Sequence, residues 1–202
     1  REEKLNITRV IYKSSGSMLE GLLFKPKGNG KFPGVVFIHG HQSDCWRSSM
    51  FGYVLSSAGF AVFLPSQIGY GFSGGEADYC GPLTVQGVID GIKIFKEQSF
   101  VNLKKIGVWG ISRGAIVASI LLIKEPDIFR AGVLQSGAYE MKLNFQTTKI
   151  EGIKDNILKE SGGTDKSFRE RSSIYDMKEL SCPVLILHGA NDERISVEQA
   201  QL

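Results

Sequence analysis

At 202 residues with a formal net charge of +3, the chain has the size of one domain with a substantial core. Its lysines and arginines are interspersed with acids, which excludes the basic stripe of a nucleic-acid binder, and no apolar run is long enough to span a bilayer. The three cysteines, Cys45, Cys80 and Cys182, form no C-x-x-C pair, and the three histidines are not spaced with them as zinc ligands usually are, so no metal or other cofactor is expected. An odd cysteine count and no visible signal peptide point to a reducing, cytoplasmic setting, although the sequence begins at Arg1 rather than Met.

In chain order, "ITRVIY" and "LEGLLF" flank the turn-like "KSSGSM" and predict an antiparallel hairpin. "GVVFIH", "AVFLP", "KIGVWG", "AGVLQS" and "PVLILHG" are short apolar runs with little polar alternation, as expected of strands covered on both faces. Between them "SSMFGYVLSSAG" predicts a helix stopped at Gly59, and "TVQGVIDGIKIFKEQ" one with Val88, Ile92 and Phe95 on one face. A third, "SRGAIVASILLIKEP", ends before Pro126. Strand alternating with helix predicts a mostly parallel α/β sheet with helices on both faces, in which ligands bind at the carboxyl ends of the strands. From Tyr139 to Ser181 the rhythm breaks: "TTKIEGIKDNILKE" is polar and helix-prone and is halted by "SGG". This stretch is too long for an ordinary connection, and a small helical insertion at about 139–181 is expected, either a lid or a plain surface excursion.

Chemistry enters at Gly110-Ile111-Ser112-Arg113-Gly114, a G-x-S-x-G lying between a buried strand and a helix. A nucleophile on such a sharp turn takes a strained backbone, tolerable where the neighbours are small, and Gly110, Gly114 and Ala115 meet that need. Ser112 would then project beside the amino terminus of the helix, where free N–H groups favour a developing oxyanion. The main-chain N–H of Arg113 is one expected oxyanion donor. The second comes from the loop in "VVFIHGHQSD", with His41 the first choice and Gln42 the alternative. A general-base role for the His41 imidazole is a lesser alternative, and His39, closing a strand, is expected to be a hydrogen-bonded core residue.

Together, "PGVVFIHG", "GYGFSGG", "GISRGA" and "RSSIYDMKELSCPVLILHGANDERI" resemble the α/β-hydrolase superfamily along nearly the whole chain, in particular the catalytic domains of prolyl-oligopeptidase-like serine hydrolases and their esterase relatives. The resemblance implies an α/β-hydrolase fold over a single domain, 1–202, and a triad in the order serine, acid, histidine. It makes Asp192 the acid, with Glu140, just after "AGVLQS", as a rival, and Arg194 a contact for a substrate carbonyl. Two positions depart from the pattern: Ser66 and Ile68 stand where relatives often carry an aspartate and an arginine.

No histidine follows Asp192, and His188, ending the preceding strand, is placed for packing or for orienting the loop. The sequence stops just past Ser196-x-x-Gln199, which has the form of a capping box opening a helix. The chain is therefore expected to belong to a longer protein, with the last helix, the last strand and the triad histidine beyond Leu202. The expected activity is hydrolysis of a small-molecule ester or short peptide through an acyl-enzyme on Ser112, carboxylesterase slightly ahead of peptidase because no β-propeller precedes the domain. A catalytically silent scaffold used for binding is the alternative of another class. Neither a nucleic-acid partner nor a membrane is expected.

Overall fold

A computed structural model of the chain describes residues 6–202; residues 1–5 lie outside it. Seven strands form one sheet. β1 (Asn6–Ser14) and β2 (Ser17–Lys25) make the expected hairpin, Ser14 paired with Ser17 across a two-residue turn. Both turn residues, Ser15 and Gly16, have positive φ (48° and 84°), the hand that matches the twist of the flanking strands. β2 then pairs antiparallel with β4 (Ala61–Pro65). From there β3 (Phe32–Ile38), β5 (Val101–Ile111), β6 (Ala131–Gln135) and β7 (Val184–Leu187) complete the order β1-β2-β4-β3-β5-β6-β7, every pair after β4 being parallel. The strand order reverses between β3 and β5, which opens a crevice at their carboxyl ends.

Side chains alternate along these strands into two separate cores. Leu23, Val36, Ile38, Phe63, Ile106 and Val108 face one side, where α2 (Pro82–Lys96) and α3 (Arg113–Lys124) pack. Leu22, Phe24, Phe37, Val62 and Leu64 face the other, covered by Phe51 and Leu55 of α1 (Ser49–Ser57). The period of two in the strands thus places helices on both faces, as expected. Val88, Ile92 and Phe95 of α2 are fully buried, Phe95 stacked on Phe63 with centroids 5.9 Å apart. Burying each such side chain contributes about 1.5–3 kcal/mol.

Between β6 and β7 the chain forms α4 (Met141–Thr147), α5 (Glu151–Ser161), α6 (Asp165–Glu170) and a 3₁₀ turn at Ile174–Glu179. α5 stops where "SGG" reads as a stop, Gly162 taking the left-handed conformation at φ 76°. The buried Arg171 ties this stretch to the loop before α2. It donates to Asp78 O (2.6 Å), Tyr79 O (3.0 Å) and Ser167 O (2.9 Å). One expectation fails at the far end. Ser196 opens only a 3₁₀ turn, Val197–Ala200, its hydroxyl accepting from Glu198 N, and Gln199 does not reach back to close a capping box. The Gln199 side chain instead accepts from Tyr139 N (2.7 Å) and Glu140 N (2.9 Å) and donates to Glu140 O (3.0 Å). A long-range clamp has taken the residue that local capping would use. Among the described residues, no helix is long and apolar enough to cross a membrane.

Candidate active site

Ser112 sits between β5 and α3 at φ 53°, ψ −118°, a conformation that side-chain-bearing residues rarely adopt. Main-chain bonds hold it there: its N–H donates to Gln135 O of β6 (2.7 Å) and its carbonyl accepts from Ala115 N (2.9 Å). The two glycines flanking it leave no room for side chains. A Cβ on Gly110 would collide with the Gly114 carbonyl, and one on Gly114 with the Ile38 carbonyl of β3. The turn is therefore as tight as the pentapeptide predicts, and its sharpness depends on β3 as well as on β5 and α3.

The loop after β3 faces this turn. A Cβ on Gly40 would lie 3.5 Å from Ser112 Cβ, so the main chain here runs in contact distance of the serine. The N–H groups of His41 and Arg113 have no hydrogen-bond partner among the described residues. Gln42, the alternative donor, is exposed, has φ 53°, and uses its carbonyl to accept from Arg47 Nη1. His41 is half-buried, with Nδ1 3.2 Å from the Tyr70 hydroxyl and Nε2 3.2 Å from Asn156 Nδ2. Burial, and then the nearby Arg113 guanidinium, push its pKa below the ordinary histidine value. His39 is the core residue expected: buried, its Nδ1 donates to Gly40 O (2.8 Å) and its Nε2 accepts from Gln67 N (3.0 Å).

The acid candidates separate cleanly. Glu140 caps α4, its carboxylate accepting from Lys142 N and Leu143 N, and so is occupied as a helix cap. Asp192 follows β7, and one oxygen, Oδ1, accepts from Arg194 N (2.9 Å) and Ile195 N (3.0 Å). Among the described residues its Oδ2 has no hydrogen bond; His188 Nε2 is 3.8 Å away and donates instead to Ile195 O (2.9 Å). One carboxylate oxygen is thus fixed and the other available. His188 is buried beneath the loop and steadies it, as its position at the strand end suggests.

A cavity of about 40 Å³ gathers most of the expected set: Ser112, Arg113, His41 and Arg194 line it, with Ile116 and Ile195. Asp192 stands two residues before Arg194 on the same loop and does not line the cavity. The Arg194 side chain, exposed, makes no ion pair among the described residues. Three further lining residues, Tyr79 and α5's Ile153 and Asn156, carry no local sequence signal. Arg113 adds another surprise. Its side chain is 2% exposed, ion-paired with Glu160 Oε2 (2.7 Å) and hydrogen-bonded to Tyr70 Oη (2.7 Å) and Gln67 Oε1 (3.3 Å), between the rings of Tyr70 and Tyr79. The residue read from sequence only for its main chain is the most heavily bonded side chain at the site.

A parallel sheet with an outer hairpin, a strained serine between strand and helix, and an aspartate loop two strands further on define an α/β hydrolase. Solved structures share this fold: the Pyrococcus horikoshii acylaminoacyl peptidase aligns at a TM-score of 0.84 with 22% identity over 98% of this chain and 34% of that one. The Pyrococcus furiosus esterase Pf2001 aligns at 0.74 with 22% identity over 98% of this chain and 75% of that one. The profile of the prolyl oligopeptidase family matches residues 46–202, and the chain belongs to that family of serine hydrolases. An uncharacterized peptidase of Bacillus subtilis, YtmA, is 23% identical over 99% of this chain and 79% of its own length. The chain thus spans about a third of the acylaminoacyl peptidase but most of YtmA.

Proposed function

We propose that this domain hydrolyses short peptide or acyl-amide bonds, and esters with them, through an acyl-enzyme on Ser112. The observation that carries this is the strained serine, held at φ 53° beside two unengaged main-chain N–H groups. Ser112 Oγ attacks the carbonyl carbon and gives up its proton to a base. The carbonyl oxygen, now negative, is received by the N–H groups of Arg113, at the start of α3, and His41. The tetrahedral adduct collapses, the base returns the proton to the departing amine or alcohol, and water repeats the sequence on the acyl-enzyme.

Asp192 orients the base through Oδ2, the oxygen left available by the Oδ1 turn. His39 is buried with both ring nitrogens hydrogen-bonded, the His188 side chain is buried with Nε2 bonded to Ile195 O, and His41 is held between Tyr70 and Asn156, so none of the three serves as that base. The proposed mechanism takes its base from a histidine other than these three. Arg194 lines the cavity without an ion pair among the described residues, which supports a role for it in meeting a substrate carbonyl.

Family membership puts amide substrates first. YtmA, named as a peptidase, is covered by this chain over 79% of its length, which supports the same order. Esterase action is the second choice, favoured by the similarity to Pf2001, of which the chain covers 75%. Side-by-side turnover of aminoacyl amides and short-chain nitrophenyl esters by the full-length protein decides between them. Amide turnover within tenfold of ester turnover is expected, and ester turnover alone overturns the order. Ser112→Ala is expected to abolish fluorophosphonate labelling and to cut turnover by roughly a thousandfold or more; unchanged labelling removes the nucleophile.

A further inference from the structure

Two polar contacts of helix α5 at the site fall on side chains of the residues assigned above as oxyanion donors. Glu160 Oε2 pairs with Arg113 Nη2 at 2.7 Å, and Asn156 Nδ2 lies 3.2 Å from His41 Nε2. A single hydroxyl joins the two contacts: Tyr70 Oη is 2.7 Å from Arg113 Nη1, 3.2 Å from His41 Nδ1 and 3.4 Å from Glu160 Oε1. Resting on the proposed hydrolase mechanism, we infer that Glu160 and Asn156, with Tyr70 as their joint, are positioning residues that set the two main-chain oxyanion donors through the side chains of Arg113 and His41.

The Arg113 guanidinium has little freedom. Nε donates to Gln67, Nη1 donates to Tyr70, Nη2 is ion-paired with Glu160, and the Tyr70 and Tyr79 rings lie 4.7 and 4.8 Å from its carbon. A side chain so pinned fixes its own Cα, and therefore the direction of the N–H that opens α3. Proton counting links the two contacts. Arg113 can only donate to Tyr70, so the one hydroxyl hydrogen goes either to Glu160 Oε1 or to His41 Nδ1. In the first case His41 Nδ1–H donates to Tyr70 and Nε2 accepts from Asn156; in the second, Nε2–H donates and Asn156 presents its oxygen. Either arrangement is complete, and each makes the His41 tautomer depend on what Glu160 accepts. Glu160 also accepts from Tyr79 N (3.1 Å) and does not line the cavity, so its influence on turnover passes through its neighbours.

Interactions that strengthen only as the oxyanion forms show in kcat, whereas a wall that merely holds substrate shows in KM. In the full-length protein, Glu160→Gln is expected to lower kcat for nitrophenyl acetate about 10- to 100-fold, less than the loss of a whole donor, with KM within threefold of the parent. Fluorophosphonate labelling, whose phosphonyl oxygen enters the same hole, should slow by a similar factor. Tyr70→Phe removes one oxygen from the same joint and serves where Glu160→Gln does not fold; the double variant should lose less than the product of the two single losses. A kcat loss below fivefold in folded protein, a loss confined to KM, or independent losses would overturn the inference. Full turnover by Ser112→Ala overturns the mechanism beneath it, a result distinguishable from an unaltered Glu160→Gln in an enzyme that does need Ser112.

Discussion

The turn at Ser112 and the helix that covers it are held by different physics, and the difference decides how each can vary. The turn is main chain packed against main chain: Gly110 meets the Gly114 carbonyl, and Gly114 the Ile38 carbonyl. Nothing there can be exchanged for a larger group without moving a strand. The 139–181 stretch is held by side chains instead: Met141, Ile157 and Phe168 are buried in the shared core, Arg171 reaches the Asp78 and Tyr79 carbonyls, and Glu160 reaches Arg113. Such contacts can be lost one at a time, leaving the sheet beneath unchanged. The strained serine is thus carried by the rigid part of the molecule, and the wall of its cavity by the adjustable part.

Three measurements sharpen or break this contrast. The largest effect is expected for Gly114→Ala, which forces a methyl against the Ile38 carbonyl and should cost about 3 kcal/mol in chemical denaturation, with loss of fluorophosphonate labelling. A mild effect would mean that the turn is looser than its contacts imply. Arg171→Met comes next. It takes the donor from the Tyr79 and Ser167 carbonyls, leaves Asp78 O with Gly81 N alone, and should cost about 2 kcal/mol. Labelling of Ser112 should survive at a slower rate, whereas complete loss would erase the distinction between frame and cover.

The smallest effect concerns His39, which joins the end of β3 to Gln67. Burial, the largest cause, lowers its pKa to about 4. The unfolded chain then takes up the proton as pH falls through the ordinary histidine value of about 6.5, while the folded chain does not, so stability falls with pH over this window. Between pH 7 and pH 5.5 the parent should lose about 1 kcal/mol relative to His39→Gln, and parallel curves would show that His39 is less enclosed than its contacts indicate.

How much of this was legible in the sequence follows the same division. Each of the seven strands and the first three helices lies where an apolar run or a glycine stop puts it, because those signals are local. Ser112 was legible for the same reason: its steric demands fall within five consecutive residues. Glu160 was not. It lies in a polar helix whose composition matches a solvated one, and its partners Tyr70, Tyr79 and Arg113 are far away in sequence. Gln199 departs from its sequence pattern because one residue type suits both a local cap and a distant clamp, and here the distant contacts prevail. Glu140 was an open rival to Asp192 until its capping bonds to α4 showed it to be spoken for.

That clamp has a consequence for how relatives of this chain could diverge. The Gln199 amide grips Tyr139 and Glu140 where the chain leaves the sheet, and it does so from the segment that follows Asp192. Whatever polypeptide runs between 141 and 181 therefore departs from a point already tied to the loop that carries Asp192. A cassette of different length or helix count inserted there would inherit the same take-off angle and leave the aspartate in register with the serine. Substrate choice could be rewritten by recombination at this seam, with the reacting groups untouched.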